Sequence, residues 1–267
     1  MSSKEAEKSL PWVVEELGRN VHQITFTGKS REGSGWILLR SDAHHDNPSS
    51  DNKLEEKHLQ QALDRGAAVI DNGDAFCAMQ GRWDKRSDKS ALKPEHQVDD
   101  YLDALVSTYA DFLEPYASQL AVIGTGNHET GILKHHETNL TTRLVERLRT
   151  KTEAKIYYGG AAPVTKGTIQ TARRAVYTPD ANIVLSGHTH QEFYLPVQRM
   201  RVSPKGRVYQ DTQWHVQVPS YKDSFKDGYS YGEWAIEKGM PPAPTGAAWL
   251  RVHWDIDELK FDIETAK

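Results

Sequence analysis

A chain of 267 residues with a formal net charge of −4 is long enough to bury a sizeable core, as one large domain or two small ones. Its acidic balance argues against a strongly basic nucleic-acid binder, although local basic patches can still hold phosphates, and no stretch approaches the ~20 consecutive apolar residues of a membrane span. Cys77 is the only cysteine, so neither an intramolecular disulfide nor a cysteine-built zinc site can form; the opening MSSKEAEKSLPWVVEEL lacks the apolar core of a secretory signal, and a cytoplasmic location is expected.

Residues 1–20 read as a polar lead-in with a short amphipathic stretch, and Val21 to Phe26 as a first strand. After a polar turn region, Trp36 to Arg40 reads as a buried strand that breaks into the turn-rich loop SDAHHDNPSSD. Asp51 is placed to cap a helix whose apolar face is Leu54, Leu59, Ala62 and Leu63 and whose stop is Gly66. Ala67 to Ile70 then forms a short buried strand running into DNGDAF, and residues 80–95 are polar and irregular. Val98, Leu102, Leu105, Tyr109 and Phe112 mark a second amphipathic helix. LAVIG, from Leu120, reads as another buried strand and leads into TGNHET. A third helix is expected from Thr138 to Arg149, with Leu140, Leu144 and Leu148 on one face. Residues 155–176 carry no clear pattern, except that Tyr157 and Tyr158 precede a Gly-Gly turn. Asn182 to Ser186 reads as a strand entering GHTH, and strands are expected after it at Glu192–Val197, Arg207–Tyr209, Trp214–Val218 and Ala247–Trp254. Alternating strands and helices followed by a β-rich tail predict one domain over 1–267, with a motif core at 36–190 and a tail at 191–267. The fold class is α/β and layered, holding its ligands at C-terminal strand ends.

Four of the buried strands end in loops crowded with metal-type ligands: Asp42-Ala43-His44, Gly73-Asp74, Gly126-Asn127-His128-Glu129 and Gly187-His188-Thr189-His190. Strand ends line up along the edge of a sheet, which would bring Asp42, His44, Asp74, Asn127, His188 and His190 together although they are dispersed in sequence. Imidazole nitrogens, carboxylates and one amide oxygen form a mixed N/O donor set, better suited to Mn, Fe, Zn or Co than to Ca or Mg; manganese is the leading expectation. Gly73, Gly126 and Gly187 stand directly before ligands, where the backbone must turn sharply or admit a close approach. Singly, each motif is weak. A Gly-Asp after a strand is usually a turn, and Asn-His-Glu can be a helix cap with a core histidine. Gly-His-x-His is more suggestive, because alternate strand residues point the same way. Turns and caps do not account for all four in this order.

In these motifs the chain resembles the calcineurin-like metallophosphoesterases, whose pattern is Asp-x-His, Gly-Asp, Gly-Asn-His-Asp/Glu, a lone His and Gly-His-x-His. The resemblance runs from Trp36 to His190. It implies a four-layer sandwich, two facing mixed β-sheets flanked by helices, and two divalent metal ions. Carried over by motif, Asp42, His44, Asp74 and His190 would hold one ion, and Asp74, Asn127 and His188 the other, with Asp74 as the bridge. His128 would be the catalytic histidine beside the substrate phosphate, and Glu129 would orient it or a ligand. Two ions ~3.5–4 Å apart would share a hydroxide for in-line attack on phosphorus. The implied function is a metal-dependent phosphoester hydrolase; the motifs do not distinguish diesters from monoesters, and the basic loop around Arg82, Trp83 and Arg86, which could hold a nucleotide, tips the preference to a phosphodiesterase or nuclease. The alternatives are a phosphomonoesterase and a degenerate member serving as a binding scaffold.

The chain departs from the pattern at the lone histidine. Between Glu129 and Gly187 stand only His135 and His136, too close behind GNHE; the equivalent place is KIYYGGAAP. The second ion is left with three protein ligands at most. Three explanations are open: this ion binds weakly or only with substrate; His135, His136 or His215 folds in as the replacement; or a short segment near 157–163 is missing.

Substrate contacts are expected from loops at the rim. His45 and Asp46 extend the first motif, and Lys134, His135 and His136 follow the third. The basic stretch Arg82, Lys85, Arg86, Lys89 and Lys93, with Trp83 interleaved, could grip a nucleotide or a phosphate backbone. Each has a plain alternative as a solvated loop. Asp71 reads as a turn former, Arg173 and Arg174 as surface residues, and QWHVQVPSYKDSF either offers His215 or Tyr221 to the pocket or is a plain strand. The expected partner is a phosphoester substrate, nucleotide or nucleic acid included; no membrane and no protein partner is expected.

Overall fold

Period-two burial governs the start of the chain: Trp12 and Val14 turn inward while Val13 is exposed. They lie on β1 (Trp12–Gly18), which pairs antiparallel with β2 (Val21–Phe26). The lead-in expected over residues 1–20 is therefore partly strand; only two inward residues carry the alternation, too few to stand out in sequence. The computed structural model describes residues 10–80, 87, 92–161, 176, 178–223, 225 and 242–267, apart from Arg19, Lys29 and Asp257. The expectations placed on Arg82, Trp83, Lys85, Arg86, Lys89, Arg173 and Arg174 lie outside the described residues.

β3 (Gly33–Arg40) is followed by α1 (Asn52–Arg65). The Asp51 carboxylate accepts from the Leu54 amide at 3.0 Å, and Gly66 ends the helix in a left-handed conformation at φ 61°. β4 (Ala68–Asp71), α2 (Tyr101–Leu113) and β5 (Leu120–Thr125) follow. Val98, expected on the second helix, precedes it and is exposed. α3 (Asn127–His136) begins directly at the Asn-His-Glu motif, and α4 (Leu140–Thr152) is capped by the Asn139 side chain on the Thr142 amide at 3.0 Å. β6 (Tyr157–Ala161) occupies the expected Gly-Gly turn. As the outermost strand of its sheet it tolerates glycines that a central strand would not. β7 (Ile183–Ser186), β8 (Phe193–Val202), β9 (Val208–Gln217), β10 (Ala248–Trp254) and β11 (Leu259–Thr265) complete the chain. The strands expected at Arg207–Tyr209 and Trp214–Val218 fall, apart from Arg207 and Val218, within the single strand β9, and β11 was not anticipated.

The strands form the β1–β2 hairpin, a six-stranded sheet ordered β11-β10-β3-β4-β5-β6, and a three-stranded sheet ordered β7-β9-β8. β3 to β6 run parallel, with β10 and β11 added antiparallel. Leu38, Val69, Ile123 and Trp249 on one face pack with Leu59, Leu105, Leu113, Leu144 and Leu148 of the helices. Ile37, Leu39, Ala68, Ala121 and Ala248 on the other face pack with Trp12, Val14, Val216, Ile183 and Leu185 of the hairpin and the smaller sheet. Both faces of the parallel strands are thus buried, which explains their continuous apolar runs. Helices α1 to α4 all contribute to the first core and none of them to the second. The protein is a mixed α/β sandwich: helices over one face of the large sheet, strands over the other. No described helix is long and apolar enough to cross a membrane.

Candidate metal centre

Three of the motifs sit where a strand gives way to a loop and Gly126 to Glu129 where β5 gives way to α3, but not along one sheet edge as expected from sequence. β3, β4 and β5 belong to the large sheet, whereas β7, which carries Gly187 to His190, belongs to the small one. The loops converge because the sheets face each other. Main-chain hydrogen bonds join the first two loops: Asp42 N to Gly73 O at 2.8 Å, His44 N to Asp74 O at 3.0 Å and His45 N to Ala75 O at 2.9 Å. The His188 amide donates to Asp42 Oδ2 at 2.7 Å and so ties the second sheet to the first. A Cβ on Gly187 would stand 1.9 Å from Ser41 Oγ and 2.4 Å from Asp42 Oδ2; one on Gly126 would stand 2.1 Å from Asp74 Oδ1. Only glycine permits these approaches.

Donor atoms of Asp42, His44 and His190 lie within 4.8 Å of one another, and so do those of Asp42, Asp74 and His188. His190 Nε2 is 3.4 Å and His44 Nε2 3.8 Å from Asp42 Oδ1, and His188 Nδ1 is 3.9 Å from Asp74 Oδ2. The two sets share Asp42, whereas Asp74, the bridge implied by the resemblance, is grouped with the second set alone. The Asn127 carboxamide lies 2.6 Å from His188 Nδ1 and 2.9 Å from Asp74 Oδ2 and presents its oxygen to both. Acceptors thus face acceptors; turning the amide over relieves this with hydrogen bonds, and a cation relieves it as the amide stands. Asp42 Oδ1 and His44 Nδ1 are buried without a hydrogen-bond partner, which for a carboxylate is costly unless a cation compensates. Five of the six candidate ligands hold left-handed backbone: Asp42 at φ 55°, His44 at 43°, Asp74 at 55°, His188 at 71° and His190 at 54°. Such residues cost on the order of 1–3 kcal/mol each and gather where ligands must be aimed. Clustered imidazole and carboxylate donors, orphaned acceptors and strained backbone together fit divalent cations.

The electrostatics suit the same use. Burial, reinforced by His128, His190 and the Lys222 ammonium, holds His44 well below the usual histidine range, so its ring is neutral and ready to ligate. Burial alone would raise Asp74, but His188 and His128 hold it below the usual carboxylate range. Burial and the neighbouring Asp74 push Glu129 up to about 8. Glu129, expected to orient His128 or a ligand, bonds the loop of the candidate ligand Asp74 and not the His128 ring. Its carboxyl accepts from the amides of Gly126 at 2.8 Å, Phe76 at 3.0 Å and Asp74 at 3.2 Å, bracing the Asp74 loop against the start of α3. His128 instead takes its orientation from Nδ1 bonded to the Cys77 carbonyl at 2.6 Å, with its ring 4.9 Å from that of His44.

The expected substrate contacts fare differently. His45 points away from the cluster: its Nδ1 is 3.2 Å from Glu55 and its ring packs on Tyr109 and Phe112. It belongs to a buried network in which Arg40 pairs with Asp71 at 2.7 Å and with Glu55 at 3.0 Å. Asp71 is a turn former, accepting from Gly73 N at 2.8 Å, and also the partner of Arg40. Asp46 clamps the amides of Cys77 at 2.6 Å and Ala78 at 3.0 Å and is not offered to a substrate. His135 is exposed on the last turn of α3, at the opposite end from Asn127, and His215 is buried beside Gln213. Among the described residues neither these two nor His136 joins a donor set, so none of them is the replacement for the lone histidine here. Tyr221 is buried, bonded to His58 at 3.0 Å. Sequence reading missed Ser220, whose hydroxyl donates to the Asp42 carbonyl at 2.7 Å, and Gln217, whose amide holds the Gly187 carbonyl at 2.8 Å. Both are polar residues within or just past a strand and carry no local signal. Comparison with family models finds none that matches the chain, and comparison with curated proteins finds no match either.

Proposed function

We propose that this protein is a metal-dependent phosphoester hydrolase. The observation that carries the proposal is the convergence of four strand ends on two overlapping groups of imidazole, carboxylate and amide donors, Asp42–His44–His190 and Asp42–Asp74–His188 with Asn127. Asp42, His44 and His190 would hold one divalent ion; Asp74, Asn127 and His188 would hold the other, with Asp42 within reach of both. Bound there, two such ions would neutralise phosphate oxygens and lower the pKa of a water toward neutrality. The protein's own contribution is positioning. His128 donates Nδ1–H to the Cys77 carbonyl, which leaves Nε2 to stabilise charge on the phosphate or to hand a proton to the leaving oxygen. Glu129 keeps the Asp74 loop and the start of α3 in register through three amide hydrogen bonds. The four-layer, two-sheet arrangement of the calcineurin-like enzymes is the fold proposed with this function.

The decisive assay strips the protein of metal, reloads it with Mn²⁺ and follows bis-p-nitrophenyl phosphate beside p-nitrophenyl phosphate. Turnover that disappears on stripping and returns on reloading is expected. Stoichiometric metal without turnover of either ester would sink the proposal and leave a binding scaffold.

A further inference from the structure

A lysine far from the four motifs in sequence stands at their edge in space. The chain leaving β9 crosses the Asp42–Asp51 loop and is tied to it at every step. Ser220 Oγ donates to the Asp42 carbonyl at 2.7 Å and Tyr221 N to the same oxygen at 3.2 Å. The Tyr221 carbonyl accepts from Asp51 N at 2.8 Å, Lys222 forms a bridge with Ser50, and Asp223 N donates to the Ser49 carbonyl at 3.0 Å. Ser220 and Tyr221 are fully buried, so Lys222 emerges half-buried from an anchored backbone.

Its ammonium lies 3.9 Å from Cys77 Sγ. Cys77 is the residue whose carbonyl orients His128, and its sulfur shares a cluster with His44 and His128, all three donor atoms within 4.8 Å. Among the described residues no carboxylate pairs with Lys222. A thiol at that distance is a weak partner for a full positive charge. With no counter-ion among the described residues, this half-buried cation adds to the burial that keeps His44 neutral but would itself be repelled by bound metal ions. It becomes favourable once an anion is bound, and it is pre-organised for one.

We propose that Lys222 is a substrate-binding residue that takes an anionic oxygen of a terminal phosphate, making the centre selective for phosphomonoesters over diesters. A terminal phosphate carries one more negative charge than a diester, and that extra charge is what an ammonium added to two cations would reward. The assignment rests on the metal centre acting on phosphoesters, and it revises the diester preference drawn from Arg82, Trp83 and Arg86.

The test compares wild type, Lys222→Met and Lys222→Arg, each loaded with Mn²⁺. Methionine keeps the stem and removes the charge; arginine keeps the charge. Two readouts are taken: the ratio of kcat/KM for p-nitrophenyl phosphate to that for bis-p-nitrophenyl phosphate, and the affinity for inorganic phosphate by calorimetry. The loss of one charged hydrogen bond corresponds to roughly tenfold to a hundredfold. Lys222→Met should lower the monoester-to-diester ratio and weaken phosphate by about that factor, at unchanged metal content and melting temperature, with Lys222→Arg recovering most of both. An unchanged ratio together with unchanged phosphate affinity would overturn the role of Lys222 while leaving hydrolysis in place. If wild type hydrolyses neither ester, hydrolysis fails as a function, and the phosphate titration still decides Lys222: equal affinity in wild type and Lys222→Met removes it.

Discussion

At the scale of single residues the centre is built at a cost. Asp42, His44, Asp74, His188 and His190 all adopt left-handed backbone, and aspartate and histidine bear this better than branched side chains. The strain is held by the amide and carboxylate bonds around it, those of His188 to Asp42 and of Asp74 to Glu129 among them. His128 differs from these residues. It lies in the first turn of α3, without left-handed backbone, and donates its main-chain amide to Asp74 Oδ1 at 2.8 Å. Replacing its ring therefore leaves the backbone and the donor groups intact. His128→Ala should lower turnover by about 10²–10⁴-fold, the usual contribution of acid–base catalysis, at nearly unchanged metal content by elemental analysis. Full activity in that variant would end the catalytic role proposed for His128.

At the scale of elements the helices and strands follow local rules. Asp51, the α1 apolar stripe and Gly66 were legible in sequence because capping and periodicity act within a few residues. Asp51→Ala should cost about 1 kcal/mol in urea unfolding, with kcat per folded molecule unchanged, since Asp51 touches the cap and not the donor atoms. A loss of kcat as well would tie the cap to the site through the Asp51–Tyr221 main-chain bond. Where local rules failed, the elements had other supports. β1 and β11 are held by one neighbouring strand each, and β6 is an edge strand built through two glycines. Asn127 to His136 reads weakly as a helix, because its first turn holds the candidate ligand Asn127 and the Glu129 brace rather than an apolar stripe.

At the scale of the whole molecule, acid stability follows from a histidine buried between layers. His58 is fully buried on α1 and bonded to Tyr221. Burial, with smaller contributions from Lys57 and Arg40, lowers it to about 4. Because the unfolded chain protonates first, near pH 6.5, the stability His58 supports is complete above that pH and is lost as pH falls toward 4. The loss amounts to about 3 kcal/mol over that window. His58→Gln in the metal-free protein should flatten the dependence of unfolding free energy on pH between 6.5 and 4; a slope identical to wild type would show that other groups carry it.

The sequence by itself determined the strands β3, β4 and β5, the helices α1, α2 and α4 and the identity of the clustered donors, since apolar runs, caps and ligand types are written locally. Only the tertiary structure decided which of them meet. It took Gly187 to His190 from a second sheet, turned His45 into the Arg40–Glu55 network, made Glu129 a brace for the Asp74 loop, and carried Lys222 from beyond β9 to the side of Cys77. The physical reason is that chain order constrains neighbours a few residues apart. The approach of loops over a hundred residues apart is set by two sheets burying their apolar faces against each other.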